Sequence, residues 1–223
     1  MAMPKKTGII FVTMGVVLML SALLLFVWNQ QEDQRAGQEA ELLLEKLRSS
    51  IETKGEKIDV GTEVYVSGNG TSEENGEVNV IEELPITEID GYGYIGYISI
   101  FDLDLELPVM AEWDYNRLKL APCRHFGSTR TDDLVIAAHN YGSHFGDISE
   151  LKVGSRVSFI DMNGEINLYE LDVLKTVQPE DVDAVLNSGY DLVLYTCTPG
   201  GATREAAFFN RSMAGSSGEN ANE

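Results

Sequence analysis

Residues 192–204 read "LVLYTCTPGGATR": an apolar run ends in Cys197, a Pro-Gly-Gly turn follows, and Arg204 opens a second apolar run, "REAAFF", over 204–209. Short β-branched and aromatic runs bounded by Gly and Pro are strand signals. The stretch therefore predicts two antiparallel strands joined by a short loop, 198–203, that folds Arg204 back beside Cys197. A guanidinium in that position can donate to an oxyanion forming on a carbonyl under thiolate attack. The plainer alternative is a cysteine that ends a strand as a small buried hydrophobe.

The same pattern recurs upstream. "GYIGYISI" (93–100), "LELPV" (105–109), "DLVIAA" (133–138), "RVSFI" (156–160), "NLYELDVL" (167–174) and "DLVLYT" (191–196) are short, apolar or alternating, and separated by turn residues as in "DMNGE". Seven or more short strands with little helix predict an all-β barrel or sandwich. Within this region only "PEDVDAVLNSG", 179–189, reads as helical, opened by Pro179 and closed by Gly189. Two of the strands end alike: "DLVIAAHN" delivers His139 and "DLVLYTCT" delivers Cys197. A rigid sheet edge open to substrate is what a nucleophile and its acid/base partner both need. His125 and His144 are the other candidate bases, in the loop-like phrases "HFGS" and "HFGD"; His139 is favoured by its strand-end position.

The first ninety residues have a different composition. Residues 8–28, "GIIFVTMGVVLMLSALLLFVW", carry no charge over a length sufficient to cross a hydrocarbon layer of about 30 Å as a helix. Lys5 and Lys6 precede the run and acidic residues follow it, so the positive-inside rule keeps the N-terminus (1–7) cytoplasmic and puts the rest outside. The run exceeds a typical signal-peptide apolar region and leaves through Trp28, which favours an uncleaved anchor in the cell membrane. Residues 29–90 are expected to form a helical stalk, 32–52, and then an acidic linker. Between residues 32 and 90 sixteen acids face five bases, the composition of a solvated tether. Residues 91–211 would be the globular domain and 212–223, "SMAGSSGENANE", a disordered tail. The net charge of −20 excludes nucleic acid as a partner, because binding a polyanion requires basic patches.

Outside the cytoplasm a disulfide between Cys123 and Cys197 is a structural alternative for both, although two cysteines in a chain this size do not make a disulfide scaffold.

The phrases "VIAAHNYGSHFGDISELKVGSRVSF" and "LVLYTCTPGGATR" resemble the histidine and cysteine segments of the sortases, the cysteine transpeptidases of the Gram-positive cell surface. "YIGYISIFDLDLELPV" with "LKLAPCRHFGS" resembles their opening strands, so the likeness runs from about 91 to 211 in the order histidine, cysteine, arginine. The pattern departs at Val193, where many sortases carry threonine, and at Ala138, where many carry glycine.

The resemblance implies a closed eight-stranded β-barrel with short helices, preceded by the transmembrane helix. It also implies a two-step acyl transfer without cofactor or metal. Cys197 would be the nucleophile on a Leu-Pro-x-Thr-Gly-like sorting signal of a surface protein, His139 the general acid/base and Arg204 the oxyanion donor. Thr196 and Asn140, beside the two strand ends, are the candidate substrate contacts. The acceptor would be an amine of a peptidoglycan precursor or of a protein. Alternatives are a cysteine hydrolase on another fold and a non-catalytic tethered barrel that binds cell-wall or surface peptides. Residues 84–88, "LPITE", match the first four positions of such a signal and raise the possibility of a pseudosubstrate lid, against a chance match in a linker.

Overall fold

The computed structural model describes residues 5–58 and 83–212. Most of the expected acidic linker (59–82), the start of the N-terminus (1–4) and nearly all of the expected tail (213–223) lie outside the described residues.

Helix α1, Lys5–Ile58, runs without a break from the apolar segment through the predicted stalk. Among the described residues nine strands follow: β1 (Thr87–Ile89), β2 (Tyr92–Ile100), β3 (Leu105–Met110), β4 (Cys123–Phe126), β5 (Leu134–Ala137), β6 (Arg156–Asp161), β7 (Ile166–Val177), β8 (Leu192–Cys197) and β9 (Arg204–Arg211). Their order in the sheet is β1-β2-β3-β4-β5-β8-β9-β7-β6, and a β2–β6 ladder closes it. β2 to β9 thus form a closed eight-stranded barrel, with β1 laid along the first residues of β2. β6 pairs with β2 only from Gly96 onward, so β1 occupies the stretch that β6 leaves open. Gly96 sits at a register shift of β2 with φ of +148°, where an added Cβ would come within 2.0 Å of the Ile160 carbonyl oxygen. No other residue fits that crossing. The helix expected at 179–189 is reduced to α2, Val182–Leu186.

Alternation along the strands sorts the side chains. Ile98, Ile100, Leu107, Val109, Leu134, Ile136, Leu192, Leu194, Ala207 and Phe209 fill the interior with Phe145 and Phe159. Residues of the opposite parity in β5, β8 and β9, Val135, Val193, Ala206 and Phe208, pack outside the barrel under Val185 of α2. A strand's period of two fixes this division.

The predicted stalk is packed onto the barrel. The apolar residues from Ile9 to Trp28 are exposed, whereas Ala36, Ala40, Leu44 and Leu47 are buried. They recur at three- and four-residue spacing, one face of a helix. Leu47 joins a cluster with Tyr94, Met110, Met162 and Cys123, flanked by Leu43 and Ile51. Arg48 pairs with Glu106 and lies over the Tyr97 ring, and Lys46 Nζ lies 2.6 Å from Asp90. These exposed ion pairs contribute little next to the apolar burial. Residues 84–88 belong to the same region: Leu84 is buried with Ala40, and Thr87–Ile89 is β1.

If the helix is integral to the domain, Leu47→Ala, which empties a site of 0% exposure, should cost ~2–5 kcal/mol in denaturant unfolding. Leu42→Ala, at 61% exposure on the same helix, should stay within ~0.5 kcal/mol. Equal, negligible effects would contradict the docking.

Candidate active site

Two strands distant in sequence meet at the barrel's lip. β5 and β8 run parallel with Ala137 opposite Tyr195, and the Ala138 N–H donates to the Tyr195 carbonyl (3.2 Å). Continuing that register by two positions puts His139 level with Cys197. Parity places both on the outer face, because Val135 and Val193, four residues before each, face outward. β9 then pairs antiparallel with β8, with Cys197 directly opposite Arg204 and with Ala206 and Phe208 on the same outer face. Cys197, His139 and Arg204 accordingly line one cavity of about 320 Å³.

The walls of this cavity are mainly apolar. Trp113, Tyr115 and Leu118 come from the β3–β4 connection, Ala137 and Tyr195 from the strands, and Pro179 and Val185 from the segment at α2. No residue of 84–88 is among them, so that segment does not lie over the cavity. Thr196 is buried yet also lines the cavity, and its hydroxyl donates to the Ala138 carbonyl (2.9 Å), tying the two strand ends together. Asn140 is not among the lining residues. Both cysteines are free thiols, Cys123 buried and Cys197 part-exposed. Burial pushes the Cys123 thiol up to about 12, which makes it inert.

The connection from Cys197 to Arg204 is latched on itself. The Thr198 N–H donates to the Thr203 carbonyl (3.0 Å), the Thr203 N–H donates to the Thr198 hydroxyl oxygen (3.1 Å), and the two hydroxyls lie 2.9 Å apart. Gly200 and Gly201 take φ of +82° and +73°, values that L side chains rarely adopt. Arg204 Nη1 donates to the Gly201 and Thr203 carbonyls (3.0 and 2.9 Å), which holds the guanidinium against its own hairpin.

His139 begins a compact turn. Its carbonyl accepts the Phe145 N–H (3.3 Å), while the Tyr141 carbonyl accepts the His144 and Gly146 N–H groups (3.0 and 2.8 Å). The Tyr141 ring lies against the His139 ring, centroids 4.9 Å apart, and against the His144 ring at 5.6 Å. Burial, and then the nearby Lys119 charge, lower the His139 pKa, so its imidazole is neutral near pH 7. Among the described residues its Nε2 has no hydrogen-bond partner.

The other two histidines separate clearly. His144 is completely buried and does not line the cavity; desolvation first, then His139, lowers its pKa to about 4. His125, by contrast, lies on β4 and lines the cavity. Its Nδ1 is 2.7 Å from the Tyr195 hydroxyl, and its ring lies against Trp113. Burial lowers the His125 pKa and raises that of Tyr195, so both are uncharged near neutral pH. In sequence His125 sits in the loop-like phrase "HFGS", and Trp113 and Tyr115 stand in no motif that points to a site. Recognising "CRHF" as a strand was the signal that would have placed His125 on the cavity side. Among the described residues, no group of three or more His, Cys, Asp or Glu side chains is gathered so as to hold a metal ion.

The family model of the sortase domain matches residues 98–208, from β2 to β9. Among solved structures, the chain is similar to a lid mutant of sortase A from Corynebacterium diphtheriae, at 24% identity over 55% of this chain and 72% of that one, with a TM-score of 0.49. It is also similar to sortase C1 from Streptococcus agalactiae, at 26% identity over 57% and 72%, TM-score 0.49. A third is sortase C from Streptococcus pneumoniae, at 23% identity over 54% and 69%, TM-score 0.46. No curated protein matches the sequence. The barrel is a sortase domain, and the chain belongs to the sortase family, a family of transpeptidases.

The buried histidine sets an acid limit on the fold. Between its ordinary pKa of 6.5 and its lowered value of about 4, folded His144 binds fewer protons than the unfolded chain does. Stability is therefore full above pH 6.5 and falls as pH drops through this window, by on the order of 3 kcal/mol from this residue. His139 and His125 add to the fall in the same direction. Chemical denaturation across pH 7 to 4 should show the loss, and His144→Phe should make it shallower. An unchanged slope in that variant would contradict the assignment.

Proposed function

We propose that this protein is a membrane-anchored sortase-type transpeptidase in which Cys197 is the nucleophile, His139 the general acid/base and Arg204 the oxyanion donor. The reading is carried by one observation: Cys197 of β8, Arg204 of β9 and His139, two residues beyond β5, line one cavity at the barrel's lip. His139, neutral at rest, takes the Cys197 thiol proton, and the thiolate so formed attacks the threonine carbonyl of a Leu-Pro-x-Thr-Gly-like sorting signal on a surface protein. Arg204 leaves its hairpin carbonyls to donate to the oxyanion, a contribution of about 3 to 4 kcal/mol in other acyl-transfer sites. As the carbon–nitrogen bond breaks, protonated His139 gives its proton to the departing amine, and the acyl group remains on sulfur as a thioester. An acceptor amine, from a peptidoglycan precursor or a protein, then attacks the thioester, loses its proton to His139 and releases the thiolate. The apolar, aromatic walls formed by Trp113, Tyr115 and Tyr195 suit a leucine and a proline.

Helix α1 is long and apolar enough in its first part to cross a membrane. With Lys5 and Lys6 before the run, the N-terminus is cytoplasmic and the barrel lies on the outer face of a Gram-positive cell membrane.

Kinetics on the full chain in detergent, with a sorting-signal peptide and an amine acceptor, test the assignment. Cys197→Ala should abolish turnover. Arg204→Ala should lower kcat by ~10²–10³-fold, as for other lost oxyanion donors. His139→Ala should lower kcat as severely while His125→Ala retains most of it. Peptide binding without turnover in the parent chain would replace this reading with a tethered binding barrel.

A further inference from the structure

The apolar run of α1 ends at Trp28, and five residues later the helix reaches the loop that carries the histidine. Asp33 Oδ1 accepts the Ser143 N–H (2.9 Å) and the Ser143 hydroxyl (2.6 Å), and the Asp33 carbonyl lies 3.0 Å from the same hydroxyl. A carboxylate that accepts a backbone N–H and a hydroxyl together makes a short, charge-assisted attachment. The approach is close as well as polar. One turn further on, a Cβ built on Gly37 would stand 3.0 Å from the Ser143 Cβ. A Cβ on Gly142 would stand 3.3 Å from Asp33 Oδ2. Glycine on both sides lets the helix touch the loop.

The segment held this way determines where the His139 ring lies. β5 ends at Ala137, so beyond the Ala138 N–H the ladder with β8 no longer holds the chain. His139 is fixed instead from inside the turn, by the Phe145 N–H on its carbonyl and the Tyr141 ring on its imidazole. The turn is attached on its inner side by Phe145, fully buried in the barrel interior, and on its outer side by Asp33 through Ser143. We propose that Asp33 of the membrane-proximal helix is a positioning residue for His139, holding the turn 139–146 and its Tyr141–His139 ring pair in the orientation proton transfer requires. The proposal rests on His139 being the general acid/base. Asp33 works through position: its charge bears on Tyr141 and His144, whereas His139 is influenced by Lys119. The anchor would then contribute to catalysis as well as to location.

The chain contains three histidines, so 13C-labelled histidine in the full chain in detergent gives three ring signals to titrate by NMR alongside turnover. Asp33→Ala should lower kcat by ~10- to 100-fold, the range that a misplaced catalytic group costs. KM should change little, and the His139 titration should move up toward that of an exposed imidazole. Asp33→Asn keeps the acceptor oxygen and should restore kcat to within about threefold of the parent together with the parent His139 titration. Ser143→Ala, which keeps only the N–H bond, should lie between them, and Lys46→Ala, which cuts a different helix–barrel contact, should match the parent. A parent-like kcat and His139 titration in Asp33→Ala would overturn the proposal. So would an Asp33→Asn chain as impaired as the alanine variant, since charge and not position would then be the cause. If the parent chain shows no turnover, the transpeptidase reading fails, and the His139 titration alone still decides whether the clamp positions the ring.

Discussion

The parallel ladder between β5 and β8 is the constraint on which the rest of the molecule depends. Parallel neighbours need a long crossover, and here it includes β6, β7 and α2 before the chain returns beside β5. The register of that return, Ala137 against Tyr195, brings residues 58 positions apart to one level of the barrel's lip, and Thr196 secures it by donating to Ala138. A slip of one residue would move Cys197 to the other face of the sheet, toward the interior. The interior packing of Leu192 and Leu194 opposes such a slip, so the hydrophobic core also fixes which way Cys197 points.

The antiparallel hairpin is a second, local constraint built on the first. Cys197 and Arg204 are opposed because the six residues between them close a latched loop with two glycines in left-handed conformations. The guanidinium rests on its own loop's carbonyls, satisfied and close to the sulfur-bearing residue. Helix α1 supplies the third constraint. Its apolar contacts run under Tyr94, Met110 and Cys123, and this cluster reaches Trp113 and Tyr195, which line the cavity. Among the described residues, helix α1 from Asp33, the barrel and the cavity walls are thus in continuous contact.

Much of this was legible because the barrel strands have strict alternation and two of the apolar runs lead into His139 and Cys197. The seven strands expected from periodicity are all present, and the hairpin after Cys197 was visible in its Pro-Gly-Gly turn. β1 and β4 escaped because three residues "TEI" and four residues "CRHF" carry too little apolar signal, and with β4 went the position of His125. The docking of the helix escaped for another reason. Its contact face begins with Ala36, Gly37 and Ala40, small residues that give close approach without a hydrophobic stripe, and its polar clamp joins residues 110 positions apart. The "LPITE" segment looked like a substrate, yet Leu84 is a packing residue beside the helix. Thr196 and Asn140 were proposed as substrate contacts from proximity in sequence alone. Thr196 lines the cavity while its hydroxyl holds Ala138, and Asn140 is not among the lining residues.

The most direct test of the central claim is the identity of the atom that carries the acyl group. Intact-mass measurement of the full chain with a Leu-Pro-x-Thr-Gly peptide and no acceptor amine, followed by peptide mapping, reads it. The account predicts a covalent gain equal to the peptide up to its threonine, located on Cys197 and lost on adding hydroxylamine. No adduct under turnover conditions, or an adduct on another residue, would contradict it.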